Sequence, residues 1–344
     1  MRNFSQQGRA NWMILLVASG LAAGSVWPLS AQTPPEMKRI PFQIATGPVS
    51  GSYLPLGEAL AMIISHPPGL GRCDIANACG PEGLIATTRS SSGSVSNALA
   101  VERGSVQSAL VQGDVAAAAI SGQGPFEESG PLKNVRVIAR LHDETLQIVA
   151  ASRSGIRHLK DLAGRRVAID TENSATEYTV RSLLGVAGVK FSSLKIKRVS
   201  AERAADDLRD GKIDALFVTG VSPIQVVDQL TRQGYVRLVP VESRTLQKLA
   251  RKSPMYSKVQ LPAGTYRSSK SVSALGVTSL WIVNSSQPSN TVIEILRAFW
   301  NPVNQTELRK RGEFAKMISL RKSLQKFPVP LHDGAKRFYA ASSR

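Results

Sequence analysis

The sequence lacks the commonest patterns of catalytic residues. It contains no G-x-S-x-G, no H-E-x-x-H and no glycine-rich loop that ends in G-K-[ST]. These absences argue against the usual serine hydrolases, zinc proteases and P-loop nucleotidases, although a secreted hydrolase with an unfamiliar site stays open. The four histidines, His66, His142, His158 and His332, are scattered along the chain. Because they show no spacing typical of metal ligands, we expect neither a metal nor a cofactor.

Cysteine is nearly absent, since the chain contains only Cys73 and Cys79. In an exported chain, such a C-x5-C pair is typical of a small disulfide loop. A metal site is the alternative interpretation. It is less favoured because no histidine lies close by and the C-x2-C spacing of zinc ligands is missing.

Aromatic and acidic residues are both scarce. Aromatics make up 6% of the chain, so the core must consist mainly of Val, Leu, Ile and Ala. Lys and Arg number 43 against 25 Asp and Glu, which gives a formal net charge of +18. Such an excess suits nucleic acid, a membrane surface or an anionic ligand. The basic clusters at 195–198 and 309–311 carry no interleaved aromatics for base stacking, so we expect no nucleic acid and interpret the charge as a solvated surface that also steers anions.

Only the N-terminus carries a long apolar run. Arg2 and Arg9 precede an apolar segment at 12–23, and small residues follow as far as Ala31. This order is typical of a secretory signal peptide that covers residues 1–31 and is cleaved after Ala31. The segment could instead stay as an uncleaved anchor. No later segment approaches the length of a membrane span, so we expect an exported, soluble mature chain.

A strand followed by a small-residue loop and a helix occurs three times. In the first copy, Pro41–His66, alternating apolar residues give way to a loop with Gly47 and Gly51, and then to apolar residues at helical spacing. The second copy spans 84–99 and the third spans 166–187. One copy alone would be weak evidence, but the repetition indicates an α/β protein with mixed sheets and helices on both faces. Ligands of such sheets bind at the carboxyl ends of the strands, where all three loops lie.

Other segments give simpler predictions. We expect two separate strands at 135–139 and 146–151, and a helix at 176–187. The Ser-, Pro- and Gly-rich segment 253–273 shows no clear periodicity, and 275–284 is an apolar strand.

Six motifs occur in an order that resembles one known family. They are ATGPVSGSYLPLGEAL, SGSVSNALAVERG, SALVQGDVA, KDLAGRRVAIDTENSATE, LPAGTY and VPLHDGAKRFY. The ordered set is similar to the TAXI subfamily of TRAP-transporter solute receptors across essentially the whole mature chain. The resemblance implies a two-lobe, type II-like periplasmic-binding-protein fold with hinge strands between the lobes. Lobe 1 would comprise 32–147 plus 281–344, and lobe 2 would comprise 148–280.

The resemblance also implies which residues line the cleft between the lobes. By position they are Thr46, Gly47, Gly51, Ser52, Tyr53, Ser92, Gly93, Ser94, Asn97, Gln112, Asn173, Ser174, Ala175 and Thr176. Arg89, which follows the second strand, is a fifteenth candidate because of its charge. Small residues let backbone N–H groups approach an anion, and hydroxyls add donors without like-charge repulsion. The chain departs from the family in having N-S-A-T-E at 173–177 instead of G-S-G-T-E. Arg89 also replaces a common neutral polar residue, and it either pairs with a ligand carboxylate or points to solvent.

The function implied by the resemblance is that of a periplasmic, monomeric receptor without enzyme activity. Its lobes would close on a small organic anion, amino-acid-like or dicarboxylate-like, and the receptor would deliver this solute to a TRAP-type membrane permease. A disulfide between Cys73 and Cys79 is also similar to one in a branch of the subfamily. Two alternatives stay open: an exported sensor that presents its ligand to a signalling partner, and the secreted hydrolase.

Overall fold

Ten strands and twelve α-helices make up the computed structural model, which describes residues 39–49, 51–267, 270–325 and 328–342. The strands are β1 (Ile40–Ala45), β2 (Leu84–Arg89), β3 (Ser108–Gln112), β4 (Val135–Ala151), β5 (Arg166–Ile169), β6 (Lys195–Arg198), β7 (Ala215–Gly220), β8 (Val236–Leu238), β9 (Tyr256–Leu261) and β10 (Val272–Asn284). The helices are α1 (Tyr53–Ile64), α2 (Ser94–Glu102), α3 (Gly113–Ser121), α4 (Thr176–Ala187), α5 (Ala201–Arg209), α6 (Gln225–Arg232), α7 (Ser243–Lys252), α8 (Ser289–Trp300), α9 (Pro302–Arg309), α10 (Glu313–Lys316), α11 (Leu320–Ser323) and α12 (Asp333–Ser342).

The predicted signal peptide and its cleavage site lie outside the described residues. Within the described ranges, none of the helices is both long and apolar enough to cross a bilayer.

The strands form one mixed sheet in the order β2-β1-β3-β10-β4-β7-β5-β6, with β8 beside β4 and β9 beside β10. β1 runs parallel to β2 and β3, and β5 runs parallel to β6 and β7. The central strands β4 and β10 are antiparallel to each other and to their remaining neighbours. The predicted α/β class with a mixed sheet is therefore confirmed.

Alternation along the strands explains why helices cover both faces. In β10, Trp281 and Val283 pack with α1, α8 and α12, whereas Leu280 and Ile282 pack with α2 and α3. In β5, Val167 joins the core beneath α4 and α7, and its neighbour Ala168 joins the core beneath α5 and α6. Successive side chains thus supply four apolar clusters, two in each half of the sheet.

The two halves share only their longest strands. We define the first half as β1, β2 and β3 with the adjoining parts of β4 and β10, and the second half as the remaining strands. In β4, the residues up to Leu141 belong to first-half clusters and those from Leu146 belong to second-half clusters. In β10, the change falls between Val277 and Leu280. The predicted lobe boundaries lie close to these points and remain a prediction.

The prediction of two separate strands at 135–139 and 146–151 is wrong, because β4 is continuous from Val135 to Ala151. The polar run between the two predicted strands resembles a turn. In the structure His142, Glu144 and Thr145 are buried, and their side chains hydrogen-bond to Ser279, to Ser52 and to the carbonyl of Gly220, respectively.

The segment 253–273 also contains a strand that periodicity did not reveal. β9 pairs with β10 along its whole length, from Tyr256 opposite Val277 to Leu261 opposite Val272. Three of the four residues between its ends, Ser257, Lys258 and Gln260, are polar and exposed, since this edge strand buries mainly its two ends.

The cysteine loop packs beside α9. The sulfur atoms of Cys73 and Cys79 are 2.03 Å apart, the distance of a disulfide bond. The amides of Asn301 and Asn304 donate to the carbonyls of Ala76 and Ala78, which ties the loop to the body of the protein.

Candidate functional site

Loops at the carboxyl ends of the parallel strands enclose a cavity of about 750 Å³. The segments after β1 and β2 and the last residue of β3 form its wall in the first half, and the segments after β5, β6 and β7 form it in the second. The first residues of five helices line this cavity: Tyr53, Ser94, Thr176, Ala201 and Gln225. The partial positive ends of α1, α2, α4, α5 and α6 therefore meet at one space, where a polar guest can satisfy free N–H groups.

Eleven of the fifteen residues predicted for the cleft lie in the cavity wall. They are Gly47, Gly51, Ser52, Tyr53, Ser92, Gly93, Ser94, Gln112, Ser174, Ala175 and Thr176. The three predicted loops thus meet, as expected for turns at the carboxyl ends of parallel strands.

The other four predicted residues, Thr46, Arg89, Asn97 and Asn173, are not among the lining residues. Asn97 is buried, and its amide donates to the carbonyl of Thr46 at 2.6 Å. Thr46 is also buried, and its hydroxyl donates to the carbonyl of Arg89 at 3.0 Å. The side chain of Arg89 is exposed. Asn173 has φ +61, and its carbonyl accepts from the backbone N–H of Val95 at 3.1 Å. Thr46, Asn97 and Asn173 therefore hold loops in position.

Glu144 is a buried carboxylate in the cavity wall, and the sequence reasoning did not single it out. Oε1 accepts from the Ser52 hydroxyl at 2.7 Å, and Oε2 accepts from the Gln112 amide at 3.4 Å. Burial opposes ionisation of Glu144, but the neighbouring imidazole of His142 and the hydrogen bond from Ser52 outweigh it and hold the pKa of the carboxyl below its ordinary value. Glu144 therefore places a negative charge in the wall at neutral pH.

Ser52, His142 and Glu144 are not arranged as a catalytic triad. In a triad the carboxylate accepts from one ring nitrogen of histidine while the other nitrogen faces the serine. Here Ser52 Oγ and Glu144 Oε1 both lie beside Nε2 of His142, at 3.2 and 3.8 Å. Nδ1 faces the hydroxyl of Ser279 at 3.3 Å instead. Glu144 therefore cannot orient the imidazole so that it activates Ser52 as a nucleophile. Instead, the contacts of Ser52 with His142 and Glu144 connect the start of α1 to β4.

The charged residues of the wall are mostly acidic. Among the described residues that line the cavity, the carboxylates are Glu144, Asp170, Glu202, Asp206 and Glu313. Arg209 is the single cationic side chain in that set, and it pairs with Asp206 at 2.9 Å. Burial, and then the charge of Glu202, raises the pKa of Asp170. The carboxylates of Asp170 and Glu202 are therefore close enough to influence each other.

Sequence reasoning also missed the wall that follows β6 and β7. These residues include Val199, Ser200, Ala201, Gly220, Val221 and Ser222. Both segments are junctions from a strand to a helix, like the three that were predicted. The βα alternation itself was the signal that could have found them.

The two halves touch at one edge of the cavity. Gly93 has φ +123, and a Cβ atom built on it would lie 3.1 Å from Cα of Ser174. Only a residue without a side chain permits both this conformation and this approach.

A family model described as the NMT1-like family matches residues 44–341. Among solved structures, the periplasmic binding protein BugD is similar with a TM-score of 0.51 at 12% identity, covering 88% of this chain and 94% of that chain. A protein from Bordetella bronchiseptica RB50 gives 0.50 at 18% identity, with 90% and 82% covered. A Xanthomonas citri protein bound to ATP gives 0.50 at 11% identity, with 87% and 98% covered. These similarities confirm the predicted periplasmic-binding-protein fold.

Proposed function

The chain belongs to the NMT1-like family, and from this premise we propose that it is an extracytoplasmic receptor that binds a small solute without chemically changing it. The observation that carries the proposal is the convergence of five helix starts, from both halves of the sheet, on one cavity. A cavity of this volume accommodates a small organic molecule. Polar loops at strand ends suit recognition through backbone N–H groups and hydroxyls.

We propose that the two halves act as lobes and that β4 and β10 are the hinge strands. The support for this is that each strand passes from the apolar clusters of one half to those of the other. The passage occurs at the polar residues between Leu141 and Leu146 in β4 and between Val277 and Leu280 in β10. Because most residues of each apolar cluster belong to one half, rotation at these points would keep most of each core together. Small-angle scattering with and without solute tests closure, and we expect a smaller radius of gyration when solute is bound.

The delivery step follows from the family resemblance of the six motifs. We propose that the periplasmic receptor passes its solute to a TRAP-type permease. Proteoliposomes that contain a TRAP-type permease should accumulate solute only when both the receptor and an ion gradient are present. Solute-dependent binding to a signalling partner without any uptake would favour the sensor alternative.

Thermal-shift screening of the purified protein against small solutes tests the receptor function itself. A solute at a hundred times its dissociation constant stabilises the native state by about 2.7 kcal/mol, which gives a clear rise in melting temperature. Turnover of an ester substrate without any stabilising solute would support the hydrolase alternative instead. The geometry of Ser52 and His142 gives no basis for such turnover.

A further inference from the structure

The charge of the cavity is opposite to the charge of the chain. The whole sequence carries a formal charge of +18, yet the described lining residues include five carboxylates and one guanidinium. A random sample of this surface would be basic. The acidic wall therefore influences which solutes the cavity binds.

Glu144 is the carboxylate in this wall with the clearest geometric role. It is 4% exposed, and both of its oxygens already accept from protein donors that fix its position, Ser52 and Gln112. Each carboxylate oxygen has a second lone pair that can accept another donor. A solute that carried only carboxylates would bring like charges together in a poorly hydrated space, which is strongly unfavourable.

Two buried hydroxyls in the same wall lack hydrogen-bond partners. Ser174 is 6% exposed, and its Oγ has no partner. Tyr53 is 7% exposed, and its hydroxyl lies near Glu144 and Ser94 without meeting either at hydrogen-bonding geometry. Buried polar groups in native proteins are normally paired, so these two indicate that a polar guest completes the site.

The helix starts supply the complementary half of the recognition. The N-terminal ends of α1, α2 and α4, each nine residues or longer, present partial positive charge to the cavity at Tyr53, Ser94 and Thr176. They favour an anionic or acceptor group on the guest. The wall thus offers the fixed negative charge of Glu144 and several partial positive charges at the helix starts.

We propose that Glu144 selects solutes that carry a cationic nitrogen, with the anionic or acceptor end of the solute at the helix starts. Dicarboxylates are then rejected. A metal ion does not replace the cationic nitrogen, because the described residues contain no group of three or more His, Cys, Asp or Glu placed to hold one. This inference rests on the proposed receptor function and narrows its solute class.

The experiment compares solutes of similar shape and different charge. Melting temperature and calorimetric affinity are measured with glutarate, 5-aminopentanoate and cadaverine, with succinate and L-aspartate, and with the remaining common amino acids. The protein is used as wild type, Glu144→Gln, Glu144→Asp and Glu307→Gln. Glu307 is an exposed residue of α9 that pairs with Lys310, and it is absent from the cavity wall, so its variant is a control for the loss of one carboxylate.

We expect every solute that binds the wild type to carry an amine, and both dicarboxylates to fail. Glu144→Gln should weaken the best amine-bearing solute by about tenfold or more, whereas Glu144→Asp keeps the preference for amines and Glu307→Gln changes affinity by less than about twofold. Circular dichroism of each unliganded variant establishes that it is folded. If Glu144→Gln does not fold, the comparison of dicarboxylates with amine-bearing solutes on the wild type still tests whether the cavity selects a cationic nitrogen.

Two results would overturn the inference in distinguishable ways. Dicarboxylates that bind as well as their amine counterparts, or an unchanged affinity in folded Glu144→Gln, would reject the role of Glu144 and leave the receptor function standing. Failure of every solute in the panel would count against both.

Discussion

The hydroxyl of Thr179 donates to a carboxylate oxygen of Asp114 at 2.6 Å, which joins α4 in the second half of the sheet to α3 in the first. The same oxygen accepts from the hydroxyl of Tyr256 at 3.0 Å, and all three side chains are buried. Burial raises the pKa of Asp114, and hydrogen bonds from Thr179 and Tyr256 only partly offset this effect. One carboxyl therefore links the two halves on the side of α3.

Replacement of this carboxyl should destabilise the fold. Asp114→Ala removes the acceptor for two buried hydroxyls, and we expect the free energy of unfolding to fall by about 2–3 kcal/mol. Urea denaturation measures the loss. The control is Asp210→Ala, at an exposed residue that directly follows α5, and this variant should lose less than about 0.5 kcal/mol. Equal losses in the two variants would show that the link between the halves contributes nothing.

The pH dependence of stability should have opposite signs at two aspartates. Asp214 accepts from Arg166 through Nε, Nη2 and the backbone N–H, and these bonds hold the pKa of the carboxyl below its ordinary value. Its contribution, roughly 1 kcal/mol for a partly exposed pair, is present above about pH 4 and is lost as the pH falls further. The difference in unfolding free energy between wild type and Asp214→Asn should therefore shrink below about pH 4.

Asp114 provides the opposite case. Because its folded-state pKa is raised, the native state binds the proton more tightly than the unfolded state does. The wild type should gain stability relative to Asp114→Asn as the pH falls from 7 towards 4. A wild type that instead loses stability relative to Asp114→Asn as the pH falls over this interval would contradict the prediction. Urea denaturation at several pH values measures both variants in parallel.

Gly93 should control how closely the two halves approach. Gly93→Ala places a methyl group 3.1 Å from Cα of Ser174 and at φ +123, so we expect weaker solute binding by about tenfold and a stability loss of roughly 1–3 kcal/mol. Gly104→Ala is the matched control, since Gly104 has φ +69 but open space around it. That variant should lose roughly 1 kcal/mol and bind normally. Equal binding by both variants would mean that this contact does not shape the cavity.

The cysteine loop should contribute modestly to stability. Closing a loop as short as Cys73–Cys79 stabilises by about 2–3 kcal/mol in the chain-entropy model. Replacing both cysteines by serine, or adding a reductant, should lower the melting temperature and leave solute affinity unchanged, because neither residue lines the main cavity. A loss of solute binding in the folded double variant would contradict this separation.

Local sequence patterns predicted an element correctly where its apolar periodicity and its end residues indicated the same structure. The helix at 176–187 was predicted with the bounds that the structure has, because its apolar face and its polar start agree. The prediction of two strands within 135–151 was wrong because the polar residues at the middle of β4 form hydrogen bonds with partners distant in sequence, such as Ser52 for Glu144. β9 was missed because only its ends are buried.

The candidate site shows the same division. Residues of the polar loops, such as Ser52, Ser94 and Ser174, were predicted for the cleft and lie in the cavity wall, because strand ends in parallel sheets meet at one edge. Arg89 was considered for the ligand because of its charge, but its side chain is exposed and outside the wall.

The sequence by itself determined the α/β class, the loops that meet at the cavity and the family resemblance, since these depend on periodicity and order along the chain. Only the tertiary structure decided that the cavity wall is acidic in a basic protein, because Glu144, Asp170 and Glu313 are far apart in sequence and line one cavity only when the chain is folded. Charge at a site depends on which side chains share a space, and that is set by the packing of distant elements.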